Sequence, residues 1–338
     1  MKDARKKVLV LGNGGWGTAL AMVLHENGCD VRVWGHDAAY SREIEETRRN
    51  SRFLPGVNLP GGIRFGGDAS DLGREAGAVL SAVPTQFLRG VLRALARDLP
   101  HEALVVSCSK GFERGTFDLP SRIIASVLPR APLAVLSGPS HAEEVSRGLP
   151  TTVVAASEAP GPALEIQRLL SGPRFRTYSS SDPLGVEIGG ASKNVIALAA
   201  GISDGLGFGD NARAGLVTRG LSEITRLGVA LGARAETFAG LSGIGDLIAT
   251  CTSPHSRNHA VGLRLGRGEK LASILGSMDA VVEGVETTRS IHQLAGKLGL
   301  ELPITNEVHS VLFDGKDPRD AVESLMSRGA KEEGPFCR

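Results

Sequence analysis

Near the start of the chain, Val8-Leu9-Val10-Leu11 runs directly into Gly12-Asn13-Gly14-Gly15-Trp16-Gly17 and then into Thr18-Ala19-Leu20-Ala21-Met22-Val23-Leu24. The four apolar residues fit a short buried strand, and the Ala/Leu-rich segment has helical spacing, so a G-x-G-x-x-G pattern falls at a strand-to-helix turn. Gly12 permits the tight turn, Gly14 lets backbone amides approach a pyrophosphate, and Gly17 lets helix and strand pack closely. The helix N-terminus adds oriented N–H groups and positive potential. In this setting the glycines read as a dinucleotide-binding loop, and they commit the first part of the chain to a βαβ design.

The rest of the chain extends that design and then departs from it. A strand over 8–11, a helix over 18–26 stopped by Asn27-Gly28, and a strand over 30–34 make the first βαβ unit. The second strand ends Trp34-Gly35-His36-Asp37. A carboxylate at this point favours the ribose hydroxyls of NAD and a basic group favours the 2′-phosphate of NADP. A small residue and a histidine stand before the acid here, so NADP or NAD remains open, with His36 either a phosphate neighbour or a solvated loop histidine. A charged helix over 38–50 and Pro/Gly punctuation over 53–62 follow. Further strands are expected over 78–84, 104–108, 133–136, 151–156 and 175–178, with helices over 87–97 and 119–128. From Pro183 onward the pattern becomes helical, over 186–201, 214–231, a stretch introduced by 236–241, 256–266, 287–298, 304–313 and 318–326. The prediction is an α/β Rossmann-type doubly wound parallel sheet over 1–182, followed by an all-helical domain over 183–338. A length of 338 residues suits two domains.

Bulk properties exclude several classes. Lys+Arg 38 against Asp+Glu 37 leaves a net charge of +1, so there is no general drive toward nucleic acid or membrane and any anion site must be local. Cys29, Cys108, Cys251 and Cys337 are scattered without a C-x-x-C pair, which fits reduced thiols and neither a zinc ribbon nor a disulfide framework. The basic stretch before Val8 lacks a signal-peptide apolar region, and no apolar run reaches spanning length. The chain reads as cytoplasmic, with no membrane span and no metal site. His141, His255, His259 and His309 read as structural.

Three places could carry chemistry. Lys110 sits just past the carboxyl end of a predicted strand, where ligands bind in open parallel sheets, or is a solvated loop lysine. Lys193 has Gly189, Gly190, Ala197 and Ala200 on its helix face, which could lie against a ligand. Burial would lower its pKa from about 10.4 toward ~7–8 and make it a general acid and base; the alternative is a lysine snorkelling from a packed helix. Further on, Gly243-Ile244-Gly245-Asp246 precedes Ser256-Arg257-Asn258. An arginine between serine and asparagine after a turn can bind one phosphate, or be a surface residue beside a helix cap. Asp246 among glycines and aliphatics needs a cationic partner, with Lys193 or Arg257 the candidates. Glu283 could meet a cofactor amide or ribose, or cap a helix beginning near Thr287.

With these residues assembled, the chain resembles the bacterial-type NAD(P)-dependent glycerol-3-phosphate dehydrogenases over nearly its whole length. The resemblance is carried by residues 12–19, Ser109-Lys110-Gly111, residues 137–142, Ala191-Ser192-Lys193-Asn194-Val195-Ile196-Ala197, residues 243–251 and Ser256-Arg257-Asn258. It implies that Lys193 is the catalytic acid/base and that Lys110 touches substrate and cofactor. It places Gly138, Ser140, Asp246, Ser256, Arg257 and Asn258 around a glycerol phosphate, and Gly15, Trp16, His36, Ala142, Arg257, Val281 and Glu283 around the dinucleotide. Members commonly carry Ala at the Asn13 position and Ser at the Gly15 position, so contacts there would run through backbone amides.

The implied reaction is reversible reduction of dihydroxyacetone phosphate to sn-glycerol 3-phosphate, with NADP or NAD as cofactor, in a homodimer that supplies phospholipid synthesis. A related β-hydroxyacid or sugar-acid dehydrogenase and a non-catalytic NADPH-sensing module are the alternative readings.

Overall fold

A computed structural model of the chain describes residues 6–278, 281–330 and 332–333. Cys337, one of the four thiols read as reduced, lies outside them. Contacts divide the chain into two compact units, Met1–Ser109 with Pro120–Pro183, and Lys110–Leu119 with Leu184–Arg338.

The first unit holds one sheet of eight strands: β1 (Lys7–Leu11), β2 (Asp30–Trp34), β3 (Arg64–Gly66), β4 (Ala78–Ser81), β5 (Leu104–Ser107), β6 (Leu133–Ser137), β7 (Thr151–Ala156) and β8 (Phe175–Ser180). Their order is β3-β2-β1-β4-β5-β6-β7-β8. The helices between them are α1 (Gly15–Glu26), α2 (Ala38–Thr47), α3 (Ala69–Gly73), α4 (Thr85–Leu95), α5 (Pro120–Val127), α6 (Ala142–Val145) and α7 (Pro160–Leu170). Successive residues of β1 feed different cores. Val8 and Val10 pack with Val31, Val33, Leu80 and Val106, whereas Leu9 and Leu11 pack with Val79 and Val105. Both faces are therefore covered, which is why the strands read as continuous apolar runs.

The sheet is the predicted Rossmann-type one, with two refinements. The β6–β7 pairing is antiparallel while the others are parallel. The β6–β7 connection holds one turn of helix, α6, in place of the long crossover a parallel return uses. The short edge strand β3 and the helices α3 and α7 lie where the sequence pattern predicted none.

The strand order reverses direction between β1 and β4, so the glycine loop after β1 stands at the topological switch point of the sheet. Gly12 has φ +106°, a conformation that disfavours any side chain. A Cβ on Gly17 would collide with the Gly12 carbonyl oxygen, the close approach of helix and strand that the motif requires. Gly17→Ala is expected to cost about 1–3 kcal/mol of stability and to weaken NADPH binding, read by denaturant unfolding and by cofactor fluorescence titration.

In the second unit α8 (Pro183–Gly205) is central, and every residue over 185–203 is buried. A helix apolar on all sides is a buried one. Around it lie α9 (Asp210–Ala230), α10 (Asp246–Thr252), α11 (Arg257–Gly266), α12 (Leu271–Gly276), α13 (Glu283–Leu298), α14 (Pro303–Phe313) and α15 (Pro318–Met326). The stretch at 236–241 forms a 3₁₀ turn, Ala235–Ala239, followed by a π turn, Leu241–Gly245, in place of an ordinary helix. α13 begins at Glu283, not near Thr287, so Glu283 stands in its first turn.

Buried Glu223 on α9 caps α14 from outside. Its carboxylate accepts from the Ile304 N–H at 2.6 Å, the Thr305 N–H at 3.1 Å and Thr305 Oγ1 at 3.0 Å. Burial pushes this carboxyl up from 4.5 to about 7, against the hydrogen bonds that favour its charge. With the folded value above the unfolded one, its contribution to stability falls as pH rises from about 4.5 to 7. The stability difference between wild type and Glu223→Gln, measured by denaturant unfolding across that range, is expected to shrink in the same direction.

Candidate active site

Lys193 on α8, Asp246 and Thr250 on α10, and Lys110 from the segment Lys110–Leu119 converge in the second unit. Lys193 Nζ donates to Asp246 Oδ1 and, at 2.7 Å, to Thr250 Oγ1. Lys110 Nζ donates to Asp246 Oδ2 at 2.7 Å. Thr250 Oγ1 in turn donates to the Asp246 carbonyl at 2.6 Å, an i,i+4 bond that fixes the hydroxyl beside Lys193.

Local structure explains the arrangement. The π turn Leu241–Gly245 delivers Asp246 into the first turn of α10, where the helix dipole favours a carboxylate. A Cβ on Gly189 would stand 2.5 Å from the Ser242 carbonyl oxygen. The small residue at 189 therefore admits this turn to the Lys193 helix, not a ligand.

The side chains of Lys193 and Asp246 are 8% and 2% exposed and that of Lys110 is 17% exposed. Burial lowers the Lys193 pKa from 10.5 to about 8; Asp246 pulls it up and Lys110 pushes it further down. Burial opposes ionisation of Asp246, but the two ammonium groups and their hydrogen bonds hold its carboxyl below the ordinary value. Lys193 is thus a buried lysine held on Asp246, not one that snorkels to solvent. Cys251, also buried, is pushed up to about 12 by desolvation and offers no thiolate.

The second cluster stands at the start of α11. Ser256 is the N-cap, its Oγ accepting from the His259 N–H at 3.2 Å. Arg257 is exposed, and its Nη1 donates to the Val281 carbonyl at 3.2 Å. It does not pair with Asp246; of the two cations that sequence reasoning offered, Lys193 takes that place, and Lys110, which it did not offer, joins it. Buried Asn258 donates through Nδ2 to Asn194 Oδ1 at 2.9 Å and accepts from the Gly284 N–H at 3.0 Å, tying α11 to α8 and to the first turn of α13, beside Glu283.

In the first unit, the loops at the carboxyl ends of the strands carry the remaining predicted residues. α1 begins at Gly15, includes Trp16 and Gly17, and has no side-chain cap at Gly14, where a Cβ would meet nothing within 4 Å. Trp16 and Ala142 pack at the edge of one core. Asn13 turns its side chain inward, Nδ2 donating to Ser41 Oγ at 3.1 Å. A Cβ on Gly15 would stand 2.6 Å from the Phe53 carbonyl oxygen. His36 is exposed, while the Asp37 carboxylate caps α2 by accepting from the Tyr40 N–H at 3.0 Å. Gly138, at φ +127°, follows β6, and Ser140 Oγ donates to its carbonyl at 2.8 Å.

Sequence reading missed Thr250, although its i+4 spacing from Asp246 was a signal. It also missed Asn50, which is buried and donates at 2.8 Å both to the Asn13 carbonyl and to Thr18 Oγ1 behind the glycine loop. Among the described residues no group of three or more His, Cys, Asp or Glu could hold a metal, and no helix is long and apolar enough to cross a membrane.

A doubly wound sheet with an uncapped glycine loop at its switch point, in one chain with a buried lysine tuned toward neutrality, is the equipment of a nicotinamide-dependent oxidoreductase. Two family models match. The NAD-dependent glycerol-3-phosphate dehydrogenase N-terminus covers residues 7–162 and the C-terminus of the same family covers residues 182–323. The glycerol-3-phosphate dehydrogenase (NAD(P)+) of Geobacillus kaustophilus is 52% identical over 97% of this chain and 96% of its own length. That of Bacillus subtilis is 49% identical over 97% and 96%. The crystal structure of glycerol-3-phosphate dehydrogenase from Coxiella burnetii has a TM-score of 0.92 at 37% identity, covering 96% of this chain and 99% of that one. The chain belongs to the NAD-dependent glycerol-3-phosphate dehydrogenase family.

Proposed function

We propose that the chain reduces dihydroxyacetone phosphate to sn-glycerol 3-phosphate, reversibly, using NADPH or NADH. The observation that carries this reading is the Lys193–Asp246–Lys110 cluster, a buried proton carrier in the same unit as the Ser256-Arg257-Asn258 helix start. Residues 1–182 would bind the dinucleotide and residues 183–338 would carry substrate and catalysis, with Lys110 contributed to the second group by its contacts.

The uncapped α1 N-terminus and the open space at Gly14 fit a pyrophosphate, held by backbone amides of Gly14, Gly15, Trp16 and Gly17 after the turn at Gly12. His36, Ala142, Val281 and Glu283 complete the proposed cofactor set. The nicotinamide, when bound, supplies or accepts the hydride. Lys193 Nζ gives a proton to the carbonyl oxygen in reduction and takes the hydroxyl proton in oxidation. Asp246 holds that ammonium in place, and Thr250 fixes its direction. Arg257, Ser256 and Asn258 bind the phosphate through a guanidinium, a hydroxyl and the amides at the start of α11. Gly138 and Ser140 line the substrate, and Lys110 adds positive charge beside the reacting oxygen.

Membership of the family supports a homodimer and a cytoplasmic place in glycerophospholipid synthesis. A competition experiment tests the substrate class. Glycerol 3-phosphate is expected to compete with dihydroxyacetone phosphate, and small hydroxy acids are not. Competition by a hydroxy acid with none from glycerol 3-phosphate would instead mark a β-hydroxyacid dehydrogenase.

A further inference from the structure

α8 and α11 run side by side in one direction, with Asn258 in the first turn of α11 reaching back to Asn194, the residue after Lys193. Asn258 pairs with Asn194, and further along a Cβ on Gly262 or Gly266 would collide with the carbonyl oxygen of Leu198 or Ile202. From the other side, a Cβ on Gly201 or Gly205 would collide with the carbonyl oxygen of His259 or Leu263. Backbone lies on backbone along this seam. Such a contact sets the distance between the helices, and two polar ties hold it along its length.

One tie is Asn258 to Asn194. The other stands near the far end of α8, where Asp204 occupies the last turn, a position the helix dipole disfavours for an acid. Asp204 is held there by Arg213 from α9, whose Nε and Nη2 donate to Oδ1 at 3.2 and 2.9 Å, and by His259 from α11, whose Nε2 lies 2.7 Å from Oδ2. A carboxylate only accepts, so Nε2 donates. The His259 backbone N–H is the group that holds Ser256 Oγ.

We propose that His259 is a positioning residue for the phosphate site: anchored on Asp204, it fixes how far along α8 the first turn of α11, with Ser256 and Arg257, stands from Lys193. The proposal rests on the phosphate-binding role assigned above to that turn.

The test uses the full chain and compares His259→Phe, which keeps a flat ring without the donor, with His259→Gln, whose amide nitrogen can reach Asp204. Wild-type reduction of dihydroxyacetone phosphate is measured alongside. A wild type that fails to turn it over overturns the functional reading and the proposal with it. With an active wild type, His259→Phe is expected to raise KM for dihydroxyacetone phosphate about tenfold, with kcat within about twofold. His259→Gln is expected to recover most of that loss. A KM in His259→Phe within about twofold of wild type, or a fall in kcat without a rise in KM, overturns the proposal and leaves the functional reading standing. If His259→Phe does not fold, Asp204→Asn, which keeps an acceptor and drops the charge, is expected to raise KM about threefold; an unchanged KM overturns the proposal.

Discussion

Lys193→Met is expected to lower kcat for reduction of dihydroxyacetone phosphate by about 10²- to 10⁴-fold, the usual contribution of a positioned acid or base. Methionine keeps most of the buried volume, and Asp246 retains Lys110 at 2.7 Å, so the carboxylate is not left without a cation. Lys193→Arg separates charge from proton transfer, because a guanidinium keeps the charge and does not give up its proton near neutral pH. It should fail as the methionine variant does. The wild type carries a second signature. With Lys193 lowered to about 8, kcat/KM for reduction should fall as pH rises through that value, since the acid form is consumed, and kcat/KM for oxidation should rise through it. Retention of more than about a tenth of wild-type kcat by both variants would remove Lys193 from proton transfer.

Asp246→Asn should be the most disruptive single change for folding. It removes the shared partner of two ammonium groups, one of them buried, and breaking a buried pair by deleting one member costs about 3–5 kcal/mol. Denaturant unfolding measures that loss. The effect on Lys193 has a definite sign. Asp246 raises the Lys193 pKa against burial and against Lys110, so its removal lets the value fall below about 8. The descending limb of the reduction profile should move to lower pH, and neutral-pH activity should drop further than KM changes explain. A limb that stays in place would show that Asp246 does not tune the lysine.

The central features of this site were legible because they break local rules. A lysine among Gly and Ala, and an aspartate among Gly and Ile, are costly to bury unless they meet, and they do meet across 53 residues of chain. The identity of the second cation was not legible. Charge alone allows Arg257 or Lys110, and only the folded path of Lys110–Leu119 into the second unit decides between them. The doubly wound sheet followed from the glycine loop and the apolar runs, whereas the antiparallel β6–β7 step did not, because hydropathy carries no strand direction. α7 begins Pro160-Gly161-Pro162, residues that read as breakers but that suit a first helical turn. The π turn before Asp246 gave no periodic signal at all. His259 read as structural because its partner Asp204 lies 55 residues away on another helix.

The most direct test of the whole account is the oxidation of NADPH on addition of dihydroxyacetone phosphate, with NADH run in parallel and the product assayed as sn-glycerol 3-phosphate. The account predicts stoichiometric oxidation of at least one cofactor, lost in Lys193→Met. Binding of NADPH without turnover on dihydroxyacetone phosphate, or turnover that Lys193→Met leaves intact, would contradict it.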